Sequence, residues 1–469
     1  MLRILARTFG DLRFIGLIVS ILFSASADAQ TVWGTYLKPF AATSLWNSRP
    51  VAPVLGDFII PSDIYFPAVT EGAFSTGVFL SKIDDKPVTV GGLPGTAGPR
   101  DPDSETNHNV TVLRWPAGVV PATGSDGHAV IVDPYRSMIH SFEGLKFQNG
   151  QWVAGLYSWM PMAGTGWGDP AHYFQGARAS GVPPVAGLIR KHEVADGDVM
   201  YRHALAMSLS TNGLSPDPGY VFPATAADGA LAGNFGKISE GARMMLPANF
   251  NTQQITSLAL RKVAETLKVY GAYVVDRNYG TPYVIYVENG SGYDLHHGGW
   301  DSRVATELDI IRQSLRQVAS VGGWIDGNGK TLQPIVNYGL LSMRGASQIQ
   351  LGSVAGPFDT WAQAVVFPTT VSRTTQVNYS NRGINSVTWG KPVAGSSYRL
   401  TSVATGGAAF RLQIYNQTTK TYVFDSAELE NGESILFKWP AGTVVLVMYT
   451  YSGVGQPSSV RGVLMRSDI

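Results

Sequence analysis

Apolar and polar residues alternate along much of this chain with the period of two expected of half-buried strands. The run His128 to Val132 is apolar and β-branched, stops at Asp133-Pro134 and resumes from Ser137 to Leu145. That pattern predicts a hairpin with Asp133 to Arg136 in its connection, and a role for Asp133 in capping the turn. Alternation puts His128, Val130 and Val132 on one face, opposite Met138, His140 and Phe142. The stretch Asp198 to Ser208 reads as another strand, with Val199, Tyr201, His203, Leu205 and Met207 sharing a face and Arg202 turned away. A third runs from Tyr273 to Asp276. Two segments switch to helical spacing. One follows Asn251-Thr252, with Ile255, Leu258, Val263 and Leu267 on one side and Gly271 placed to end it. The other starts near Asp301-Ser302, carries Val304, Leu308, Ile311, Leu315 and Val318, and is expected to stop at Gly322-Gly323.

Beyond about residue 345 charges thin out and short strands recur: Tyr398 to Val403, Phe410 to Tyr415, Thr421 to Phe424, Ser434 to Trp439 and Thr443 to Tyr451. The pattern predicts a mainly β protein: a large β-sandwich or jelly-roll-like domain over residues 30–345 carrying the two amphipathic helices, and a smaller C-terminal β-sandwich over 346–469. Residues 31–54, with Trp33, Tyr36, Phe40 and Trp46, read as an irregular lead-in packed onto the main domain. Residues 85–109, rich in glycine, proline and acids, read as a long surface loop.

The first 29 residues have another character: three arginines, an apolar run from Phe14 to Phe23 and a final Ala27-Asp28-Ala29. These are the parts of a secretory signal peptide, too short in its apolar run to be a membrane anchor. A secreted or periplasmic protein with no membrane contact after cleavage is the expectation. Cleavage would remove three arginines and two aspartates from 35 basic and 34 acidic residues, leaving 32 of each. A neutral chain argues against nucleic acid as a partner. The absence of cysteine excludes disulfides and thiolate chemistry.

All eight histidines lie between His108 and His297, which places any chemistry in the first two thirds. Asp126 and His128 sit at the end of an apolar strand, where a cleft opens most readily. The segment 188–205 is the densest in ionisable groups. An Asp196-Gly197 turn would lay Arg190 to Glu193 beside Tyr201 to His203, forming either an acid/base set with an anion clamp or a charged edge hairpin. Trp152, Trp159 and Trp167, with Tyr157, Tyr173 and Phe174, fall in a glycine-rich context that suits either a core or a platform on which sugar rings stack. His296-His297 is poorly spaced for one metal ion. No zinc-protease, EF-hand, P-loop or G-x-S-x-G motif occurs, so no metal or cofactor is expected.

The stretches Pro39 to Asn47, Asp126-Gly127-His128, Gly187 to Arg190 with Arg202 to Leu205, and Tyr270 to Asp276 resemble a group of secreted, β-rich bacterial proteins. The resemblance covers about residues 35–325 and implies one domain there, without an activity. The expected function is degradation of a polysaccharide. Hydrolysis would draw its two carboxyl groups from Asp126, Glu143, Glu193 and Asp276, with His128 beside them. Its rivals are a lyase acting on a uronic-acid polymer through Arg190, His203 and Tyr201, and a non-catalytic carbohydrate-binding protein. Trp152, Trp159, Trp167 and Tyr173 are the expected sugar contacts.

Overall fold

A computed structural model describes residues 32–102, 106–168, 172, 174–334, 345–348, 357–360, 364–377 and 392–467. The predicted signal segment, Tyr173 and the expected boundary near 345 lie outside these residues or at their edge. The described residues are mainly β, with two α-helices among them. The predicted hairpin forms from Ala129–Asp133 and Met138–Glu143, and Asp133 Oδ1 accepts from the amides of Tyr135 and Arg136 at 3.0 and 3.2 Å. Its register differs by one residue from the expectation: Val132 pairs with Ile139 and Ile131 with His140. Val130, Val132 and Ile139 therefore share one core, while Ala129, Ile131 and Phe142 share another. Both faces of this hairpin are buried, so alternation of polarity could not set the register.

Between residues 33 and 332 the elements stack in layers. Helices α1 (Leu258–Val269) and α2 (Ser302–Ser314) pack through Val263, Leu267, Leu308 and Ile311 on one face of a seven-stranded mixed sheet, against Leu205, Met207 and Val274. The other face of that sheet, with Ala206, Tyr273, Val275 and Tyr286, meets Val78, Val132 and Met160 of a six-stranded sheet. That second sheet in turn packs Ile131 and Phe142 on Val90 and Val112 of a four-stranded sheet. Ser257 and Asp301 cap the two helices through their side chains. Gly271 takes φ +69 after α1, as its position suggested.

Five local expectations need correction. Helix α1 starts only at Leu258, capped by Ser257; Asn251 caps a separate short turn over Thr252–Gln254, so Ile255 precedes the helix, and Leu258 is 75% exposed. Helix α2 ends at Ser314, and Val318 lies in the strand Arg316–Ser320; Leu315, already extended, hands the apolar periodicity from helix to strand without a break. The strand foreseen from Asp198 begins only at Leu205: Tyr201 packs in the core, but Val199 is 69% exposed and the segment bends rather than pairs. Within residues 85–109 the chain forms short strands at Val88–Gly92, Arg100–Asp101 and Thr106–Asn107. The lead-in does pack onto the domain, with Phe40 and Trp46 buried, but its Trp46 ring stacks on Trp167 at 4.8 Å, making that tryptophan core rather than platform.

All five C-terminal strands form, and Ser458–Arg466 adds another that alternation alone had not separated. Two four-stranded antiparallel sheets enclose a core of Phe367, Leu400, Phe410, Leu412, Met448 and Leu464. The strand Ser397–Thr405 alternates buried and outward residues along its whole length, the pattern of a sandwich with one dry face.

Candidate functional site

Strands Leu205–Ser210 and Ala272–Asn278 run parallel at the centre of the seven-stranded sheet, and a cleft of about 750 Å³ opens where they end. The carboxyl ends of parallel strands are where such sheets leave room for ligands. The pairing slips there: Met207 opposes Val274, but Ser208 opposes Asp276, leaving Val275 as an extra residue. A bulge of this kind re-aims the side chain that follows it. Val275 stays in the core shared with the neighbouring sheet, and Asp276 beside it bonds Arg178 at 2.7 Å. The Arg178 guanidinium lies over Tyr286, 3.8 Å from the ring centre, and also donates to Phe74 O.

Asp126 reaches the same cleft from the loop before the hairpin. Gly127, at φ +45, makes the turn that leaves Asp126 half-exposed while His128 tucks inside. A side chain on Gly127 would press on the backbone of Leu145, so this close approach requires glycine. The turn binds Glu143 to Asp126 in space, since the amide of Gly144 donates to Asp126 O at 2.6 Å. Asp228 and Glu240 join from the long connection after Leu205–Ser210. The Asp228 amide donates to Glu240 Oε1 at 3.1 Å, and the Arg277 amide to Asp228 Oδ2 at 2.9 Å.

The electrostatics follow from this crowding. Burial, then the charges of Asp126, Asp276 and Asp228, push the Glu143 carboxyl up to about 7. Asp276 rises to about 6, because burial and the nearby aspartates outweigh Arg178. Burial also raises Asp228, and burial with the charges of Asp228 and Asp276 holds Glu240 well above the usual range. His128 goes the other way, to about 3, through burial and the charge of Arg178, while its Nδ1 donates to Phe142 O at 3.3 Å. It is a neutral, buried imidazole here, and the groups whose pKa values are raised beside the cleft are carboxyls. Among the described residues no three His, Asp or Glu side chains converge as a metal site.

Of the predicted residues, the fold thus brings together Asp126, Glu143 and Asp276, with His128 behind them. Glu193, Arg190, Tyr201 and His203 form a separate knot around a cavity of only about 30 Å³, lined by Arg190, Glu193 and His203. His203 donates from Nε2 to Glu193 at 3.2 Å and from Nδ1 to Ala204 O at 2.9 Å. Both ring nitrogens donating is the geometry of imidazolium. Although burial opposes charge in each, the pairing draws Glu193 down to about 2 and His203 up. Arg190 is committed to buried Glu288 at 2.8 Å and to Tyr36 O. The Tyr201 hydroxyl is buried among apolar residues, and its pKa is raised by burial.

The aromatic expectation shifts in the same way. Trp152 packs on Trp115 and Phe147, Trp167 is core, and Trp159, though 36% exposed, rests edge-on against His172. The cleft is instead walled by Tyr65, Phe66, Phe74 and Tyr279, all more than half exposed or at that level, and Trp300 extends the row by touching Phe66 at 5.4 Å. One sequence signal would have found the acids. The chain has seven acid–glycine dipeptides, and five of their acids, Glu71, Asp126, Glu143, Asp228 and Glu240, sit in or beside the cleft. A glycine after the acid permits the sharp turn that puts a carboxyl at a loop tip.

No family model and no curated protein matches the chain. Among solved structures, the glycosylation-associated Gap123 complex of Streptococcus agalactiae aligns with 28% of this chain at 16% identity and a TM-score of 0.19. The match covers 45% of that streptococcal chain. The accessory secretory protein 1, 2 and 3 structure of Streptococcus pneumoniae aligns with 29% of this chain and 99% of its own, at 11% identity and a TM-score of 0.17. A family 29 carbohydrate-binding module complexed with mannohexaose aligns with 28% of this chain and 92% of its own, at 8% identity and a TM-score of 0.16. Likenesses this slight carry no argument about what the cleft does.

Proposed function

We propose that this chain is an exported glycoside hydrolase acting on a polysaccharide, with the aromatic-walled acidic cleft as its active site. One observation carries the proposal: Asp126 lines an open cleft of sugar-chain size, and Glu143, a carboxyl pushed up to about 7 by burial and neighbouring acids, stands beside it. Glycoside hydrolysis needs one carboxyl that keeps its proton near neutrality and another that does not. Glu143, held near 7, suits the acid that protonates the leaving oxygen as the glycosidic C–O bond breaks. Asp126, more exposed and facing the cleft, suits the partner that takes a proton from the attacking water or bonds the sugar carbon itself. Either way one water is consumed and a new reducing end is released.

The lyase alternative loses support from the knot's geometry. Its carboxylate clamp, Arg190, is buried and paired through Nε with Glu288, and about 30 Å³ leaves room for water but not for a sugar ring. A purely binding role is favoured by the exposed row of Tyr65, Phe66 and Trp300, since stacking faces serve capture as well as turnover. The discriminating experiment is incubation of the protein with a panel of polysaccharides while following reducing ends. Product from the native chain and none from Glu143→Gln supports hydrolysis. Saturable binding with no product from either supports the binding role.

A further inference from the structure

Sugar polymers are neutral, anionic through uronic acids or sulfates, or cationic through free amines, and a cleft's lining decides among them. The charged residues lining this one are Glu71, Asp126, Asp228 and Asp276, against Arg277 as the one cation among the described residues. Arg277 is already engaged: its Nη1 donates to Ala230 O at 2.8 Å and its guanidinium lies over Tyr279 at 5.3 Å. Arg178, beneath the floor and 1% exposed, is bonded to Asp276 at 2.7 Å and offers no face to a ligand. Glu143 and Glu240 stand close behind but hold their protons through burial and neighbouring acids, so the negative charge facing the cleft rests on its lining, Glu71 and Asp126 foremost. A uronate carboxylate entering here would meet like charges with no free cation to receive it. A protonated amine would meet carboxylates on more than one side and, at the rim, the exposed Tyr65, whose π electrons attract cations.

We infer that the cleft takes a glycan bearing free amines, of the class of de-N-acetylated hexosamine polymers, and rejects uronic-acid polymers. This rests on the reading of the cleft as a glycan site, but not on the cleft being hydrolytic.

The test is calorimetric titration of the full chain carrying Glu143→Gln, so that ligand is not consumed, near pH 6 with hexamers of glucosamine, N-acetylglucosamine and galacturonate. At low ionic strength the amine hexamer is expected to bind roughly tenfold tighter than the N-acetyl hexamer, with the advantage shrinking several-fold in about 0.5 M salt. The galacturonate hexamer is expected not to bind. Glu71→Gln, a change on the cleft wall, is expected to narrow the ratio of amine to N-acetyl affinity. Equal affinity for amine and N-acetyl hexamers, preference for galacturonate, or no binding of any hexamer by a folded protein would overturn the inference. Amine-selective binding with no reducing ends released by the native protein would leave it standing and would instead remove the hydrolytic reading.

Discussion

The molecule contains two dense collections of ionisable groups, and they are built on opposite principles. In the knot around Glu193 and His203 every acid has a base: Glu193 with His203, Glu288 with Arg190, Asp196 with Lys262. Charge is favoured, space is excluded, and the result is a rivet between segments distant in sequence. In the cleft the acids outnumber the bases and crowd one another, protons are held, and the space in front of them is open. A group of charges that satisfies itself holds structure together. One that remains frustrated beside a cavity has chemistry left to offer.

The comparison can be broken most decisively by Glu143→Gln. It is expected to lower release of reducing ends by about 10²–10⁴-fold with the circular dichroism spectrum unchanged. Retained activity would reduce the cleft to a binding surface. Arg190→Ala is expected to do the reverse. Stranding buried Glu288 should cost roughly 3–5 kcal/mol in urea unfolding, while the pH profile of the surviving activity keeps its shape.

The third way is through pH, because the two regions titrate with opposite sign. A carboxyl whose folded pKa is raised binds its proton more tightly in the folded chain, so the folded state loses stability as pH rises from the ordinary 4.5 through about 7 for Glu143. Glu143→Gln is therefore expected to gain about 1–2 kcal/mol over the native chain at pH 8 and nothing near pH 4. Glu193, depressed to about 2, contributes stability that is present above 4.5 and lost as pH falls towards 2. His203, raised, contributes stability that is full below 6.5 and lost as pH climbs through its folded value. Glu193→Gln should then be most costly between those limits, the window in which both partners are charged. Smaller again, Tyr65→Ala is expected to weaken glycan binding about fivefold by titration, an aromatic contact worth about 1 kcal/mol. Trp159→Ala is expected to leave binding untouched.

Much of this was legible in the amino-acid pattern, and the failures have physical causes. C-terminal strands such as Ser397–Thr405 and Phe410 to Tyr415 could be placed almost to the residue because one face is dry and the other wet. The hairpin at Ala129–Asp133 was found but mis-registered because it is dry on both faces. Asp126, Glu143 and Asp276 were legible as acids at strand ends. Asp228 and Glu240 were not, since they arrive on an irregular connection whose path no periodicity records. Tyr65 and Phe66 stand alone in the sequence, whereas the tryptophans cluster in one segment, where Trp167 serves a core contact with Trp46 rather than a surface. Histidine concentration points to the two thirds of the chain that hold the cleft but not to its acids: buried His128 and His140 are pushed towards neutrality, and His203 is engaged by Glu193.

Arg178 has one more consequence. The loop bearing Glu71 and Phe74 carries the chain from the seven-stranded sheet, which it leaves at Ala68–Thr70, to the six-stranded sheet, which it joins at Gly77–Leu80. With one nitrogen on Asp276 and another on Phe74 O, Arg178 spans from the floor to this crossing and sets the gap between them. It works as a gauge block: the width of the mouth is machined by a residue that no ligand touches. Changing the length of that one spacer would therefore alter the width of the mouth from beneath, without touching its lining.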